Sequence, residues 1–213
     1  MRKILIVTDS MGLPRNHPEV TWYEDTYAYL LSQEYQVLQL SLGGARISDL
    51  YRQMEYYMQF KPDIILLHCG IVDGAPRAYK WGEEKLFENY KCAKRMRDFL
   101  SKTITTRKLR RWRKCVWTAK QSFEGYCYSF NGYESQVYAI GITPPCEAIE
   151  EINSGITENV NEYNSILKNV FKERYIKIDD IPADCIMSDY YHLNARGHKW
   201  MYKRIKKYLR DEN

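Results

Sequence analysis

The chain has 213 residues, of which 45% are hydrophobic and 28% are charged. This length and composition suit one α/β domain with a sizeable core, and they exclude a disordered or fibrous chain. The net charge of +5, from 32 Lys and Arg against 27 Asp and Glu, is too small to identify a partner by itself.

Strand and helix patterns alternate along the chain. Apolar runs predict strands over residues 3–7, 36–42, 64–69, 136–142 and 175–178. Apolar side chains at helical spacing predict helices over residues 22–34, 47–59, 83–100, 157–172 and from Asn194, a residue type that caps helices. In the 83–100 helix, the residues expected to face inward are Leu86, Tyr90, Ala93 and Leu100. This alternation predicts a single α/β domain over 1–213, with a mainly parallel five-stranded sheet between two helical layers.

Residues 101–135 interrupt this rhythm as a basic and aromatic insertion. Seven Lys or Arg residues lie between 107 and 120 without an acid, and five aromatic residues follow between 123 and 133. One interpretation is an extended helix and a surface loop whose charges are solvated. The others are a lid over a site, a patch for an anionic substrate, and contact of 107–120 with an acidic membrane surface. No groove-reading motif accompanies the charges, so nucleic acid is not predicted as a partner.

The compartment is predicted from two absences. No apolar run approaches the roughly 20 residues that cross a bilayer. The first residues, MRKILIVTDS, hold a shorter apolar block than a secretory signal needs. A cytoplasmic protein without a transmembrane segment is therefore expected. Six scattered cysteines without a CxxC pair predict reduced thiols and no metal site.

Polar residues and glycines follow the predicted strands. In an open α/β sheet, ligands bind beyond the carboxyl ends of the strands. The residues at these places are Asp9 and Ser10, Gly43 and Gly44, Gly70 and Asp73, and Asp189 and His192. Four segments that are distant in sequence are therefore expected to meet at one rim.

These residue types suit nucleophilic catalysis. Ser10 is a weak nucleophile until a base removes its proton, and His192 is a suitable base at neutral pH. A turn that places Asp189 beside Nδ1 of His192 would leave Nε2 free for Ser10. The backbone N–H groups of Ser10, Gly43 and Gly44 could hold an oxyanion. Taken one at a time, each residue also has a purely structural interpretation.

At these positions the sequence resembles the SGNH hydrolases, also called GDSL esterases and lipases. The resemblance spans nearly the whole chain except the insertion, and its blocks are IVTDSMGLPR, LSLGGARISDL, LLHCGIVDGAPR and SDYYHLNARGHKWM. Thr8 stands where the family usually has Gly, and Val72 stands where it has the Asn that donates to the oxyanion. Loss of one such donor typically costs about 10²–10³ in turnover. The first and third blocks also resemble a small branch found among bacterial surface-polysaccharide genes.

The resemblance implies a flavodoxin-like three-layer α/β/α fold, a triad of Ser10, His192 and Asp189, and an oxyanion hole formed by Ser10, Gly43 and Gly44. It implies an esterase that removes an acyl group, with acetyl on a carbohydrate favoured, and that uses neither metal nor organic cofactor. Two alternatives stay open: acyl transfer to a sugar by the same triad, and a non-catalytic module that binds a polysaccharide or another partner. The residues expected to bind substrate or brace the rim loops are Asp9, Gly70, Asp73, Arg77 and Asn194. The candidates to replace the missing donor are Arg46, Arg77 and Asn194.

Overall fold

A computed structural model describes residues 1–103 and 106–210, with side chains for all of these except 100–106 and 210. Residues 104 and 105 of the predicted insertion, and the side chain of Leu100, therefore lie outside the described residues. Five strands form one parallel sheet in the order β2-β1-β3-β4-β5. They are Lys3–Thr8 (β1), Gln36–Ser41 (β2), Ile64–His68 (β3), Gln136–Ile140 (β4) and Tyr175–Ile176 (β5).

Helices connect the strands and cover both faces of the sheet. Up to β4 they are Tyr27–Ser32 (α1), Ile47–Tyr51 (α2), Met54–Tyr57 (α3), Ile71–Gly74 (α4), Trp81–Asn89 (α5), Lys91–Thr103 (α6), Thr106–Arg113 (α7) and Lys120–Asn131 (α8). After β4 they are Glu147–Ile152 (α9), Ile156–Phe171 (α10) and Ala195–Arg210 (α11). The predicted last helix therefore begins where expected, directly after Asn194.

The side chains of the central strands alternate between two cores. Leu5 and Val7 of β1 pack with α2, α8 and α10, whereas Ile4 and Ile6 pack with α1 and α11 on the other face. All four are fully buried, because helices cover both faces of a parallel sheet. The predicted three-layer α/β/α arrangement with a five-stranded sheet is confirmed.

The crossover between β3 and β4 differs from its prediction. The helix predicted over 83–100 is divided at Tyr90 into α5 and α6, and Leu86 and Tyr90 are exposed instead of facing inward. The described side chains of α5 to α7 contribute to a small cluster of their own and not to the two sheet cores. The buried members of that cluster are Ala78, Tyr79 and Phe87.

The helix that covers the sheet in this crossover is α8, which lies inside the predicted insertion. Its Phe123 and Phe130 are fully buried against the sheet and α10. The interpretation of 101–135 as an extended helix with a solvated loop is therefore wrong for its second half. Local periodicity shows which face of a helix is apolar, but it does not show which of several helices reaches the sheet.

Among the described residues, no helix combines the length and the apolar character that crossing a bilayer requires. Trp112 on α7 is 81% exposed amid basic residues. Contact of 107–120 with an acidic membrane surface stays a prediction, as does the cytoplasmic location.

Candidate active site

Ser10 lies just beyond the carboxyl end of β1, in the one-turn 3-10 helix Ser10–Gly12. Buried Asp9 fixes this turn, because its Oδ1 accepts the N–H of Met11 at 2.9 Å. Thr8, the residue that departs from the family pattern, uses its hydroxyl oxygen to accept a second N–H of the turn at 3.1 Å. These contacts place the Ser10 hydroxyl at the rim of the sheet.

His192 is oriented by the carboxylate of Asp189. The Oδ1 atom of Asp189 accepts the N–H groups of Tyr191 and His192 at 2.9 and 3.0 Å, which closes a tight turn. Its Oδ2 atom lies 2.6 Å from Nδ1 of His192. Burial favours a raised pKa for Asp189, but these hydrogen bonds hold the pKa below its ordinary value. The carboxylate therefore remains ionised and fixes the imidazole with its proton on Nδ1.

The structure brings Ser10 and His192 together although 182 residues separate them in sequence. The Ser10 Oγ atom lies 2.9 Å from Nε2 of His192. Hydrogen bonds therefore run without interruption from Ser10 through His192 to Asp189, in the arrangement that activates a serine hydroxyl.

Arg15 also reaches the imidazole, and sequence reasoning missed it. Its Nη2 atom lies 2.5 Å from Nε2 of His192. The backbone of Arg15 is held by two hydrogen bonds with Thr21, of 2.9 and 2.8 Å. Burial lowers the pKa of His192 and the positive charge of Arg15 lowers it further, whereas Asp189 acts in the opposite sense. Arg15 ends the block IVTDSMGLPR, but nothing in that block shows that its side chain turns back toward His192.

The predicted oxyanion-hole residues are Ser10, Gly43 and Gly44. Ser10 and Gly44 line the cavity beside His192, whereas Gly43 does not. Among the described residues, no hydrogen bond involves the N–H of Ser10 or of Gly44. Gly44 has φ +72°, a left-handed conformation that glycine adopts without strain. Val72 lines the same cavity with an apolar side chain, so its side chain offers no hydrogen-bond donor there.

Asp73 braces the rim from beneath. It is fully buried, and both of its carboxylate oxygens accept the N–H of Ile47, at 3.1 Å each. The hydroxyl of Thr118 donates to Oδ1 at 2.5 Å. Burial raises the pKa of Asp73 to about 6 despite these bonds. Asp73 therefore joins α4 to the start of α2 and to the segment before α8, and it forms no ion pair with Arg77.

Close packing requires a glycine at position 70. Its φ is +122°, and a Cβ atom there would lie 2.7 Å from Cδ1 of Ile142 and 3.2 Å from Cζ of Phe123. The chain can turn from β3 into α4 at this place only without a side chain. Gly70 does not line the cavity that contains Ser10.

The candidates to replace the missing Asn have different positions. Asn194 caps α11, since its Oδ1 accepts the N–H of Gly197 at 3.0 Å. Arg46 pairs with Asp49 at 3.0 Å. Arg77 alone of the three lines the cavity.

The cavity at this rim has a volume of about 520 Å³. Two arginines, one acid and several apolar side chains line it around Ser10 and His192. These residues are Arg77, Arg110, Asp189, Val72, Pro76, Ile149 and Ile152. Among the described residues, no group of three or more His, Cys, Asp or Glu side chains is placed to hold a metal ion.

The chain has the fold of several solved ester-hydrolase structures. A lipase/acylhydrolase from Enterococcus faecalis aligns over 100% of this chain and 97% of its own, with a TM-score of 0.67 and 12% sequence identity. The acetyl xylan esterase AlAXEase aligns over 96% and 98%, with a TM-score of 0.62 and 16% identity. A structure described as a lipolytic protein of the G-D-S-L family, from Desulfitobacterium hafniense, aligns over 98% and 99%, with a TM-score of 0.56 and 13% identity.

No family model matches the sequence, and no curated protein matches it. The solved structures confirm the resemblance to the SGNH hydrolases at the level of the fold. The narrower resemblance to proteins of bacterial surface-polysaccharide gene clusters stays a prediction.

Proposed function

We propose that the chain is a serine esterase that removes an acyl group, preferably acetyl, from a carbohydrate. The observation that carries the proposal is the line of hydrogen bonds from Ser10 through His192 to Asp189. The fold shared with lipase/acylhydrolases and acetyl xylan esterases supports it. Fold does not determine function by itself, so the proposal depends on these three side chains.

The reaction follows from the positions of the donors and acceptors. Ser10 Oγ attacks the ester carbonyl carbon while Nε2 of His192 takes the hydroxyl proton. The oxyanion that forms is held by the N–H groups of Ser10 and Gly44. His192 then gives the proton to the leaving alcohol oxygen, and the acyl group remains on Ser10. A water molecule, deprotonated by His192, attacks this acyl ester, releases the acid and restores Ser10.

The direct test is Ser10→Ala with a short acyl ester as substrate. Hydrolysis of 4-nitrophenyl acetate should fall by at least about 10³-fold, because the nucleophile is lost. The matched control is Ser129→Ala, since Ser129 lies on the exposed side of α8 and bonds only within that helix. Both variants should unfold at the temperature of the unmodified protein. Turnover by Ser10→Ala equal to that of the control would refute the esterase proposal.

A second candidate is a non-catalytic binding module. Two observations favour it: Val72 provides no oxyanion donor, and Arg15 donates to the nitrogen that must take the serine proton. A fluorophosphonate probe separates the candidates, because only an activated serine reacts with it. Labelling that maps to Ser10 favours the esterase, and absence of labelling at millimolar probe favours the module.

Transfer of the acyl group to a sugar would use the same three side chains. Product analysis with a sugar acceptor present distinguishes it from hydrolysis, since transfer yields an acylated sugar and hydrolysis yields free acid.

A further inference from the structure

Two arginines from separate segments meet in the cavity that contains Ser10. Arg77 follows α4, and Arg110 lies on α7 within the basic and aromatic insertion 101–135. An antiparallel backbone bridge links Arg77 to Cys115, with hydrogen bonds of 2.6 and 3.0 Å. This bridge holds the end of α7 against the rim, so Arg110 is fixed near Ser10 by tertiary structure.

Within the part of the chain that the structure describes, neither arginine forms an ion pair with an acid. The Nε atoms of Arg77 and Arg110 are buried and form no hydrogen bond, and no ion pair within the described residues involves either side chain. Arg113, one turn further along α7, instead donates to both carboxylate oxygens of Glu83, at 3.0 and 2.8 Å. The same helix thus carries one arginine that is neutralised and one that is not.

The surroundings hold Arg77 in place without neutralising it. Its guanidinium group lies 4.2 Å from the centroid of the Trp117 ring. Stacking of this kind orients the plane of the group and leaves the donors at its edge available. Burial lowers the pKa of Arg77 and the positive charge of Arg110 adds to this effect, whereas Tyr191, Glu84 and Asp73 act in the opposite sense. Glu84 and Asp98 line an adjoining cavity with both arginines, but neither forms an ion pair with them.

Inside the Ser10 cavity, Asp189 is the one acid among the described lining residues, and it is engaged by His192. Asn153 lines the same cavity and is buried, and its Oδ1 atom has no hydrogen-bond partner. Partly buried guanidinium groups that form no ion pair are unfavourable, and a bound oxyanion would satisfy them with charge-assisted hydrogen bonds. The cavity therefore combines cationic donors, a free acceptor and the reactive serine.

The geometry points to an ester substrate that itself carries an oxyanion, either a carboxylate or a phosphate, bound by Arg77 and Arg110. Asn153 would accept a hydroxyl of the same substrate. This inference rests on the proposed esterase function and specifies its substrate class. It also assigns substrate binding to part of the basic and aromatic insertion, because α7 supplies Arg110 to the cavity.

The kinetic test compares two acetyl esters that differ in charge, 4-acetoxybenzoate and the neutral 4-acetoxybenzamide. The anionic ester should show a kcat/KM at least about 10-fold higher, since only its carboxylate can accept charge-assisted hydrogen bonds from the two arginines. Arg77→Gln and Arg110→Gln should each lower the ratio of kcat/KM for the anionic ester to kcat/KM for the neutral ester by about 10- to 100-fold. The control Arg111→Gln alters the exposed neighbour on the same helix and should leave this ratio unchanged.

A binding test separates this inference from the esterase proposal. Ser10→Ala protein is titrated calorimetrically with glucuronate, inorganic phosphate and uncharged glucose. Glucuronate or phosphate should bind at least about 10-fold more tightly than glucose, and Arg110→Gln should abolish the difference. Whichever anion binds more tightly identifies the source of the oxyanion, a sugar carboxylate or a phosphate.

The outcomes are distinct. Hydrolysis of neutral esters, with no preference for the anionic ester and no binding of either anion, would overturn the inference and leave the esterase function standing. Anion binding that depends on Arg110, without hydrolysis of any ester, would support the anion site and refute the esterase. If Arg77→Gln does not fold, Arg110→Gln by itself provides the comparison.

Discussion

The lone pair on Nε2 of His192 is approached by two donors. The Ser10 hydroxyl lies at 2.9 Å and the Arg15 guanidinium at 2.5 Å. An arginine remains protonated at any ordinary pH, so Nε2 is the acceptor in both contacts and the imidazole is neutral. For the Ser10 proton to reach Nε2, the hydrogen bond between Arg15 and Nε2 has to break. At the residue scale, Arg15 therefore occupies the acceptor that Ser10 would use, and its charge adds to the lowering of the His192 pKa by burial.

Arg15→Gln should raise the pKa of His192, because it removes a positive charge that disfavours the imidazolium. Since only the neutral imidazole can take the serine proton, the acidic limb of kcat/KM should move to higher pH. Measurement of kcat/KM for 4-nitrophenyl acetate between pH 4 and 9 gives the position of the limb. Arg15→Lys keeps the charge and should keep the original limb. A limb that does not move in Arg15→Gln would show that Arg15 exerts no charge effect on His192.

At the element scale, α8 connects the core to the rim. Phe123 and Phe130 lie on one face of this helix, and both are fully buried. The ring of Phe123 packs 4.9 Å from that of Tyr163 on α10, measured between centroids. The Tyr163 hydroxyl donates to the backbone oxygen of Thr118, the residue whose side chain holds Asp73. Packing of α8 therefore extends by contact to the brace beneath the site.

Phe123→Ala should lower the free energy of unfolding by about 3–5 kcal/mol, because it leaves a cavity in the core. Tyr128→Ala on the same helix should change it by less than about 0.5 kcal/mol, since Tyr128 is 57% exposed. Urea unfolding of the two variants at one pH makes the comparison. Equal stabilities would mean that α8 is a peripheral insertion and not part of the core.

At the scale of the whole molecule, buried ionisable groups give stability two opposing pH dependences. Burial raises the pKa of Asp9 to about 7 and that of Asp73 to about 6, from 3.8. The folded state therefore binds protons more tightly at these groups, and stability is lost as pH rises from about 4 to about 7. Burial lowers the pKa of His68 to about 3 and that of His198 to about 4, from 6.5. Their contribution has the opposite sign, because stability is gained as pH rises from about 3 to about 6.5.

Asp9→Asn tests the contribution of a buried carboxyl group to the pH dependence of stability. The amide keeps an oxygen for the N–H of Met11 but has no charge to bury. Relative to the unmodified protein, its unfolding free energy should rise between pH 4 and pH 8, by up to about 4 kcal/mol. Urea unfolding at both pH values measures the difference, and Asp179→Asn, at an exposed position, is the control. A constant difference across this range would show that Asp9 is ionised in the folded protein.

The sequence by itself determined the order of the five strands and the place of the site. Apolar runs of strand length are local, and parallel strands joined by helices end at one edge of the sheet. Ser10, Asp189 and His192 each follow a strand or lie in a tight turn, so their meeting was predictable from chain order alone. The mutual contact of Asp189 and His192 was predictable for the same reason, since three residues separate them.

The tertiary structure alone decided what covers each element and what enters the cavity. Whether α6 or α8 packs on the sheet depends on how well each whole helix fits against it. The spacing of apolar residues within a helix does not predict this fit. The approach of Arg15 to His192 spans 177 positions, and the convergence of Arg77 and Arg110 depends on a backbone bridge between two loops. A local pattern gives the direction of a side chain relative to its own helix or strand, but contacts between distant segments arise only when the complete core is packed.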